Sequence, residues 1–279
     1  MNEHNKIGWK GFMKIIRKTK TAYRIFKEKG LRRVVFVLID KLRPKRRSLL
    51  RLSKRLVIKN LKNFSSEDPE SVFDFVYYRS LEAFKPMQIK SEFLELLKIF
   101  KEHKPKVILE IGTANGGTLF CFCKLAPEDA TIISIDLPQG SFGGGYPEWK
   151  TQFYQSFKKE NQIVYLLRKD SHLEDTLKEV KRILGENKVD FLFIDADHFY
   201  NGVRKDFELY SPLVKKNGII AFHDIAVVRP PDSGEVNKFW EEIKRNYEYV
   251  ELIKDYNQNW AGIGLIKINS KIYGRLKGI

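Results

Sequence analysis

The chain has 279 residues, which is enough for one core domain and an appendage. Its formal net charge is +16, and residues 1–63 hold 21 of the 51 Lys and Arg but three of the 35 Asp and Glu, a local net charge of +18. No apolar stretch approaches the roughly 20 residues of a membrane-spanning helix, and the run at 34–39 is too short for a signal-peptide core, so we expect neither feature.

The first 64 residues are predicted to form a basic extension of amphipathic helices. Basic side chains alternate with apolar ones that recur at helical spacing, which in the first segment are Phe12, Ile15, Ile16, Tyr23 and Phe26. Helices of this kind suit an anionic membrane surface or an acidic partner. The alternatives are an oligomerisation arm that packs on a second copy of the chain, and a solvated helical hairpin. Nucleic acid is not expected as a partner, because no RNA- or DNA-binding motif accompanies the charge.

A polar break at residues 65–69 separates this extension from the rest, so the predicted domains are 1–64 and 65–279. The second domain contains Cys121 and Cys123, which lie two residues apart in one predicted helix and cannot sensibly bridge each other. Lone buried thiols fit a reducing compartment. We therefore expect a cytoplasmic protein, which its basic extension can hold at the inner face of the membrane.

Residues 107–117 predict a nucleotide-binding turn. An apolar run that includes an acid predicts a central parallel strand, and the glycines after it allow a sharp turn before a helix begins. An acid before the turn would repel a phosphate, whereas it suits the cationic end of S-adenosylmethionine. The E-x-G-x-x-x-G pattern resembles motif I of the class I S-adenosylmethionine-dependent methyltransferases. The resulting cofactor-binding candidates are Glu110, Gly112, Thr113, Gly116 and Gly117.

Two further strands extend the predicted cofactor site. The strand at 131–136 ends in Asp136, 24 positions after Gly112, where a carboxylate can accept hydrogen bonds from both ribose hydroxyls. A cap for the next turn is the alternative role of this acid. The strand at 164–168 is followed by Asp170 and Ser171, at the position where class I methyltransferases usually contact the adenine.

A glycine-rich loop at 137–147 follows Asp136, at the edge of the sheet where open α/β folds bind ligands. Its glycines allow closure over a substrate, and Phe142 or Tyr146 can stack on a sugar ring or on adenine. The loop is therefore predicted to be a lid with a substrate role, and a surface excursion is the alternative. Gln88 is also a candidate for the site, although a loop glutamine is the simpler interpretation.

A second polar cluster follows two later strands. Asp195, Asp197 and His198 come after the apolar strand at 189–194, and a buried strand at 217–224 ends in His223 and Asp224. If these strands are neighbours in one parallel sheet, the carboxylates of Asp195 and Asp224 lie side by side. Together with a histidine imidazole they form a candidate site for a divalent metal ion, because a cation relieves the repulsion between buried like charges. The predicted ligands are Asp195, His223 and Asp224.

Residues from about 85 to 268 resemble the metal-dependent O-methyltransferases related to the cephalosporin hydroxylase and rhamnosyl O-methyltransferase group. The segments that carry the resemblance are 108–113, 142–146, 193–198 and 222–224. It implies a seven-stranded, mostly parallel, doubly wound Rossmann-like sheet with one antiparallel strand. It also implies that Asp195 and Asp224 bind Mg²⁺, and that a base three residues after the first acid, His198 here, takes the substrate proton.

His223 departs from this pattern, because relatives carry Asp or Glu at that position. It is either a ligand, which would favour a softer metal than Mg²⁺ such as Mn²⁺, or a group that supports the ligands. As the base we prefer His198 to Asp197, since an unperturbed imidazole titrates near neutrality. A metal-free fold in which these residues cap strand ends is the remaining alternative.

The sequence thus predicts a metal-assisted O-methyltransferase that acts on a hydroxyl, of a sugar in a glycan, a glycolipid or a natural product. A bound cation would lower the pKa of that hydroxyl and fix its orientation. The alternatives are a glycosyltransferase that uses Asp195-Ala196-Asp197, a non-haem iron hydroxylase that uses both histidines, and a non-enzymatic protein that docks through its basic extension. A glycosyltransferase would leave Glu110 and Gly112 unexplained, and an iron triad usually lies in a β-barrel.

Overall fold

The computed structural model describes residues 57–61, 63–80, 83–140, 145–226 and 234–269. The predicted amphipathic helices before residue 57, and Phe142 in the predicted lid, lie outside these residues. The chain divides into two units, Met1–Lys59 and Asn60–Ile279, and every element described below belongs to the second. The domain boundary expected between residues 64 and 65 stays a prediction. Within the described part of the chain, no helix combines the length and the apolar character needed to cross a membrane.

Seven strands form one mixed sheet. They are β1 (Val107–Ile111), β2 (Thr131–Ile135), β3 (Ile163–Leu167), β4 (Val189–Ile194), β5 (Val214–His223), β6 (Glu248–Leu252) and β7 (Ile263–Lys267). Their order across the sheet is β3-β2-β1-β4-β5-β7-β6. Strands β1 to β5 pair in parallel, whereas β7 is antiparallel to both β5 and β6. This arrangement confirms the predicted mostly parallel, Rossmann-like sheet of seven strands.

Helices flank the sheet. They are α1 (Pro69–Asp74), α2 (Lys90–His103), α3 (Gly117–Leu125), α4 (Lys150–Gln155), α5 (Glu174–Leu184), α6 (Tyr200–Tyr210) and α7 (Val236–Ile243). A π-helical turn at Phe75–Arg79 continues α1, and 3₁₀ turns follow α6 and α7. Helix α1 begins at Pro69 because proline suits the first helical turn, and the Asp68 carboxylate accepts a hydrogen bond from Ser71 N at 2.9 Å.

The two central strands are buried on both faces, which explains their continuous apolar sequence. On one face, the Phe100 ring of α2 lies 4.7 Å from the Phe122 ring of α3 and 4.9 Å from the Phe191 ring of β4. On the other face, the Phe222 ring of β5 packs between rings from α6 and α7. Packing on both faces fixes the ends of β1, β4 and β5, where the candidate site lies.

Asp190 aligns the beginnings of the two central strands. Its buried Oδ2 accepts hydrogen bonds from Lys106 N at 2.6 Å and from Val107 N at 2.8 Å. The pairing of β4 with β5 shifts register between Val189 and Phe191, so Asp190 lies at an irregularity. Because a carboxylate bound to two backbone N–H groups is strongly held, β1 and β4 start in a fixed register, and Ile111 pairs with Ile194 at their other ends.

Candidate active site

The turn after β1 has room only for glycine at its first position. Gly112 has φ +105, and a Cβ atom on it would lie 1.9 Å from the backbone oxygen of Asp195. Gly116 precedes α3 with φ +80, and a Cβ there would lie 2.7 Å from the ring of Tyr154. These glycines therefore allow the end of β4 to approach the turn closely.

Glu110 supports this turn from inside the protein. Its side chain is fully buried; Oε1 accepts a hydrogen bond from Thr118 Oγ1 and Oε2 accepts one from Ser134 Oγ. The Thr113 hydroxyl lies 2.5 Å from the Ser134 hydroxyl, and the two share a hydrogen bond. Burial raises the pKa of Glu110 to about 8, although the two hydroxyl donors act in the opposite direction.

This placement corrects the predicted role of Glu110. We expected its charge to meet the cationic end of a cofactor, but Glu110 does not line either of the two cavities beside the turn. Both of its oxygens are engaged inside the protein, so it holds the turn. Sequence reasoning missed its partners Thr118 and Ser134. A serine at a buried position of the otherwise apolar strand β2 was the signal that could have revealed Ser134.

A first cavity, of about 230 Å³, lies at the carboxyl ends of the parallel strands. Its lining includes four of the predicted cofactor residues, namely Gly112, Asp136, Asp170 and Ser171, together with Ala114, His172 and Asp195. Of the other predicted residues, Thr113 and Gly117 line the second cavity described below, and Gly116 lines neither. The structure thus brings the ends of β1, β2 and β3 to one cavity.

Asp136 lies where the prediction requires a carboxylate that can bind the ribose of a nucleoside. Its Oδ2 accepts a hydrogen bond from Ala114 N at 2.7 Å, which ties the end of β2 to the glycine turn. Burial raises the pKa of Asp136 to about 6, while the N–H groups of Ala114 and Leu137 lower it in part. An acid held in this way, beside backbone N–H groups and small side chains, fits the ribose of an adenosyl cofactor.

Tyr146 does not have the substrate role that we predicted. Its side chain is 2% exposed and is absent from the lining of the cavities. The ring lies 4.9 Å from the ring of Tyr154, and the Arg168 guanidinium lies 5.7 Å from its centroid. Tyr146 therefore anchors the end of the loop inside the protein, because its buried ring contacts both Tyr154 and Arg168.

A second cavity, of about 540 Å³, adjoins the first. The two cavities share Gly112, Ala114 and Asp195 in their linings. The second is also lined by Lys85, Met87, Gln88, Thr113, His198, His223, Asp224, Asn259 and Trp260. The glycine turn and the end of β4 therefore separate two adjoining spaces.

The predicted polar cluster is present in the second cavity. Because Ile194 of β4 pairs with Phe222 of β5, the residues that follow meet side by side. His223 Nδ1 lies 3.1 Å from Asp195 Oδ1 and 3.4 Å from Asp224 Oδ1. His198 Nδ1 lies 3.2 Å from Asp224 Oδ2, and His198 Nε2 lies 3.9 Å from Asp195 Oδ1.

Within the described residues, Asp195, His198 and Asp224 form the group with metal-ligand spacing, since one ligand atom from each lies within 4.8 Å of the others. Two carboxylates and an imidazole are suitable donors for Mn²⁺ or a similar divalent ion. The geometry thus favours His198 over His223 as the nitrogen ligand. Burial disfavours the charged form of His223, but the carboxylates of Asp195 and Asp224 prevail and raise its pKa well above the usual value.

Asp197 lies apart from this cluster. It lines the first cavity, and its Oδ1 accepts a hydrogen bond from Phe199 N at 2.9 Å, at the beginning of α6. A Cβ atom on Gly202 would lie 2.0 Å from Asp197 Cγ, so the carboxylate rests against that helix. This position is unsuitable for a base in the second cavity, although Asp195 and Asp197 both line the first.

Gln88 belongs to the site, although its sequence context favoured a plain loop glutamine. Its Nε2 donates a hydrogen bond to Asp195 Oδ2 at 2.8 Å. The Tyr77 hydroxyl donates to the backbone oxygen of Gln88 at 2.9 Å and so fixes the segment before α2. That segment packs closely on the glycine turn, because a Cβ on Gly117 would lie 2.5 Å from Pro86 N. No local sequence pattern could reveal these contacts.

Trp260 also lines the second cavity. The buried acid Glu92 positions the loop that contains Trp260. Glu92 Oε1 accepts hydrogen bonds from Lys254 N at 2.9 Å and from Gln258 Nε2 at 2.8 Å, and Oε2 accepts one from Gly262 N at 3.0 Å. Gln258 Nε2 also donates to the Trp260 oxygen at 3.0 Å. Sequence reasoning missed both residues, but an acid on the apolar side of an amphipathic helix was a usable signal for Glu92.

The sheet order, its antiparallel seventh strand and the glycine turn after β1 together match the class I methyltransferase fold. The sequence agrees with this fold, because residues 109–225 match the family model described as "Methyltransferase domain". This part of the chain is therefore similar to a methyltransferase domain, in agreement with the prediction from motif I. The matches do not distinguish the narrower cephalosporin hydroxylase and rhamnosyl O-methyltransferase group, which stays a prediction.

Several known proteins are similar to this domain. Caffeoyl-CoA O-methyltransferase from Populus kitakamiensis is 29% identical over 145 residues, which is 52% of this chain and 57% of that protein. Uncharacterized protein y4gI from Sinorhizobium fredii is 32% identical over 143 residues, which is 50% of this chain and 15% of the relative. Tapetum-specific methyltransferase 1 from Arabidopsis thaliana is 29% identical over 133 residues, or 47% of this chain and 52% of the relative. The chain thus spans less than two thirds of the length of these relatives.

Among solved structures, the O-methyltransferase TomG from Streptomyces achromogenes aligns with a TM-score of 0.49 and 15% identity, covering 78% of this chain and 99% of that one. The O-methyltransferase from Bacillus cereus aligns with a TM-score of 0.47 and 17% identity, covering 72% and 90%.

Proposed function

We propose that this chain is an S-adenosylmethionine-dependent O-methyltransferase whose acceptor is a sugar hydroxyl. The observation that carries the proposal is the meeting of two cavities at Gly112, Ala114 and Asp195. One suits an adenosyl group, and the other contains carboxylates and imidazoles that suit a hydroxyl. Methyl transfer needs such adjacent spaces, because the methyl group and the acceptor oxygen must be held in line at short range.

In the first cavity, Asp136 would accept hydrogen bonds from the ribose, and Asp170 and Ser171 would flank the adenine. S-adenosylmethionine, when bound, supplies a methyl group that its sulfonium already activates. The chain's own task is to orient the acceptor and to exclude water. The lining at Gly112 and Ala114 is backbone and small side chains, which lets the two ligands approach each other.

In the second cavity, His198 would take the proton of the acceptor hydroxyl, and Asp224, 3.2 Å from its Nδ1, would orient and stabilise the resulting imidazolium. The same residues fit a divalent cation on Asp195, His198 and Asp224, which would lower the pKa of the hydroxyl instead. His198 cannot serve in both ways at once. A neutral imidazole that binds a metal through one nitrogen carries its proton on the other, so it has no nitrogen left to act as a base. Dependence of turnover on added metal distinguishes them.

A sugar acceptor is supported by Trp260, whose ring is 46% exposed at the second cavity and offers a face to C–H groups. A phenolic acceptor is the second candidate, because the name of one relative, caffeoyl-CoA O-methyltransferase, describes such a substrate. Assays with radiolabelled S-adenosylmethionine against neutral sugars, sugar phosphates and catechols would separate these two acceptor classes.

The first test is calorimetric titration of the full chain with S-adenosylhomocysteine, with and without Mg²⁺ or Mn²⁺. We expect binding that Asp136→Ala weakens at least about tenfold, since it removes the hydrogen bonds to the ribose. Absence of binding, together with binding of a UDP- or dTDP-sugar, would contradict the proposal and favour a glycosyltransferase. The iron hydroxylase is disfavoured by the doubly wound sheet in which the histidines lie.

For residues 1–63 we propose an anionic membrane surface as the partner, on the grounds of their net charge and apolar spacing. This would make the enzyme a cytoplasmic protein held peripherally at the membrane. The full chain should float with vesicles that contain phosphatidylglycerol and not with phosphatidylcholine vesicles, and binding should weaken as salt rises. A concentration-dependent oligomer without vesicle binding would favour an oligomerisation arm instead.

A further inference from the structure

A third cavity, of about 580 Å³, continues the second toward the surface. Both are lined by Lys85, Pro86, Met87, Gln88, Asn115 and Trp260. The third adds Tyr77, Ile89 and Lys90. An acceptor that reaches the cluster at Asp195 can therefore extend into this outer space.

The outer space is cationic. Lys85 Nζ lies 6.0 Å and Lys90 Nζ 5.5 Å from the centroid of the Tyr77 ring, so both ammonium groups lie near the same ring. Lys90 Nζ also donates a hydrogen bond to the Tyr78 hydroxyl at 2.6 Å. Among the described residues that line this space there is no Asp or Glu. Its described lining therefore carries two lysines and no carboxylate, in contrast to the carboxylates deeper in the site.

The beginning of helix α2 adds to this positive charge. The 14-residue helix starts at Lys90, and the preceding Ile89 offers no side-chain acceptor to its first N–H groups. Both residues line the outer space. Unsatisfied N–H groups at a helix start attract anions, and two nearby ammonium groups strengthen that attraction.

The Gln88 side chain provides an independent sign of a ligand. It is 7% exposed, and its Oε1 is buried without a hydrogen-bond partner. The amide cannot simply be reversed, because Nε2 donates to Asp195 Oδ2 and an oxygen there would face a carboxylate. Since Gln88 lines both the second and the third cavity, its unpartnered oxygen is suited to accept a hydrogen bond from an acceptor hydroxyl.

We infer that the acceptor is an anionic sugar, whose phosphate or carboxylate binds at Lys85, Lys90 and the start of α2. One of its hydroxyls donates to Gln88 Oε1, and its ring contacts Trp260. This inference rests on the proposed methyltransferase function and specifies the acceptor of that same site. The anionic group binds at the outer end while the reacting hydroxyl lies at the inner carboxylates, so charge orients the sugar along the cavity.

The test uses the full chain saturated with S-adenosylhomocysteine and three probes: glucose 1-phosphate, glucuronate and the neutral methyl α-glucoside. Binding is measured by calorimetry or saturation-transfer NMR. We expect at least one anionic probe to bind about tenfold or more tightly than the neutral one, with an affinity that falls as salt rises. Comparison of glucose 1-phosphate with glucuronate then shows whether the site prefers a phosphate or a carboxylate.

The Lys85→Met/Lys90→Met double variant should lose this preference, whereas Lys98→Met is the matched control, because Lys98 is on the same helix but outside the cavities. Anionic probes that bind no tighter than the neutral sugar, or undetectably, overturn the inference, as does equal binding by the double variant. Unchanged binding of S-adenosylhomocysteine in those experiments leaves the proposed function intact, so the two failures are distinguishable.

Discussion

Gln88 Nε2 donates a hydrogen bond of 2.8 Å to Asp195 Oδ2, and this contact joins the segment before α2 to the end of β4 across 107 residues of sequence. Asp195 is also the side chain that lines both the first and the second cavity. The orientation of this carboxylate is therefore set by a residue outside the strands. The relationship makes Gln88 a positioning residue, in addition to its proposed contact with the acceptor.

Replacing Gln88 by Leu should lower kcat/KM by about 10- to 100-fold, because a hydrogen bond to a charged group contributes about 1.5–3 kcal/mol. The affinity for S-adenosylhomocysteine should change little, since Gln88 does not line the first cavity. Steady-state kinetics and calorimetry measure the two effects separately. Gln155→Leu is the control, because it removes a hydrogen bond from the Gln155 side-chain amide to the Val164 backbone oxygen, which lies outside the cavities. Equal kinetic losses in both variants would argue against a specific role.

The second prediction concerns the tight approach of Gly112 to Asp195. Gly112→Ala should destabilise the fold by more than about 3 kcal/mol and abolish cofactor binding, because the added Cβ would overlap the Asp195 backbone oxygen at 1.9 Å. Gly185→Ala is a control at φ +57 and ψ −121 with no atom within 4 Å of its Cβ, so backbone strain alone should cost about 1–3 kcal/mol. Urea denaturation measures both, and similar losses would show that backbone strain alone is responsible.

The third prediction is a dependence of stability on pH through Glu110. Burial raises its pKa to about 8 in the folded chain, from an ordinary value of 4.5. Between these values the folded state retains a proton that the unfolded state has released, so the free energy of unfolding falls as pH rises. The slope from this residue is at most about 1.4 kcal/mol per pH unit.

Denaturation curves between pH 5.5 and 8.5 measure that slope. Glu110→Gln cannot titrate, so its stability should change less over this range than that of the wild-type chain. The comparison within one background cancels the contribution of other groups, such as His172, whose pKa its neighbour Asp206 raises. Parallel pH profiles of the two proteins would show that Glu110 is already ionised in the folded state.

The fourth prediction separates catalysis from cofactor binding at Asp224. This residue lines the second cavity but not the first, whereas Asp195 lines both, so Asp224 is the better test of separate sites. Asp224→Asn should reduce kcat by at least about 100-fold and leave S-adenosylhomocysteine affinity unchanged. The backbone should tolerate Asn, because Asp224 has φ +62, a conformation that Asn accepts readily.

The dependence of turnover on metal is measured on the wild-type chain and on Asp224→Asn. If a cation acts at the cluster, EDTA should inactivate the wild-type chain, Mn²⁺ or Mg²⁺ should restore it, and Asp224→Asn should not respond. Asp129→Asn, a change at an exposed ion pair with Lys106, should respond like the wild-type chain. Turnover that EDTA leaves unaffected would instead support His198 as a base without metal.

Local sequence patterns were sufficient to predict the strands, the glycine turn and the groups of residues that follow strand ends. Apolar runs of five or six residues predict buried strands, and acids directly after them must meet at one edge of a parallel sheet. Asp136, Asp195 and Asp224 were identified in this way, because their positions depend on local pattern and strand order. The class I methyltransferase domain was predicted from the same information.

The roles of individual side chains within that framework became clear from the folded chain. It placed Glu110 beneath the turn, enclosed Tyr146 between Tyr154 and Arg168, and moved Asp197 to the start of α6. It also brought Gln88 to Asp195. These outcomes depend on side-chain direction and on contacts between residues far apart in sequence, which periodicity does not encode. The periodic pattern fixes which edge of the sheet holds the site, and packing fixes which atoms face the ligands.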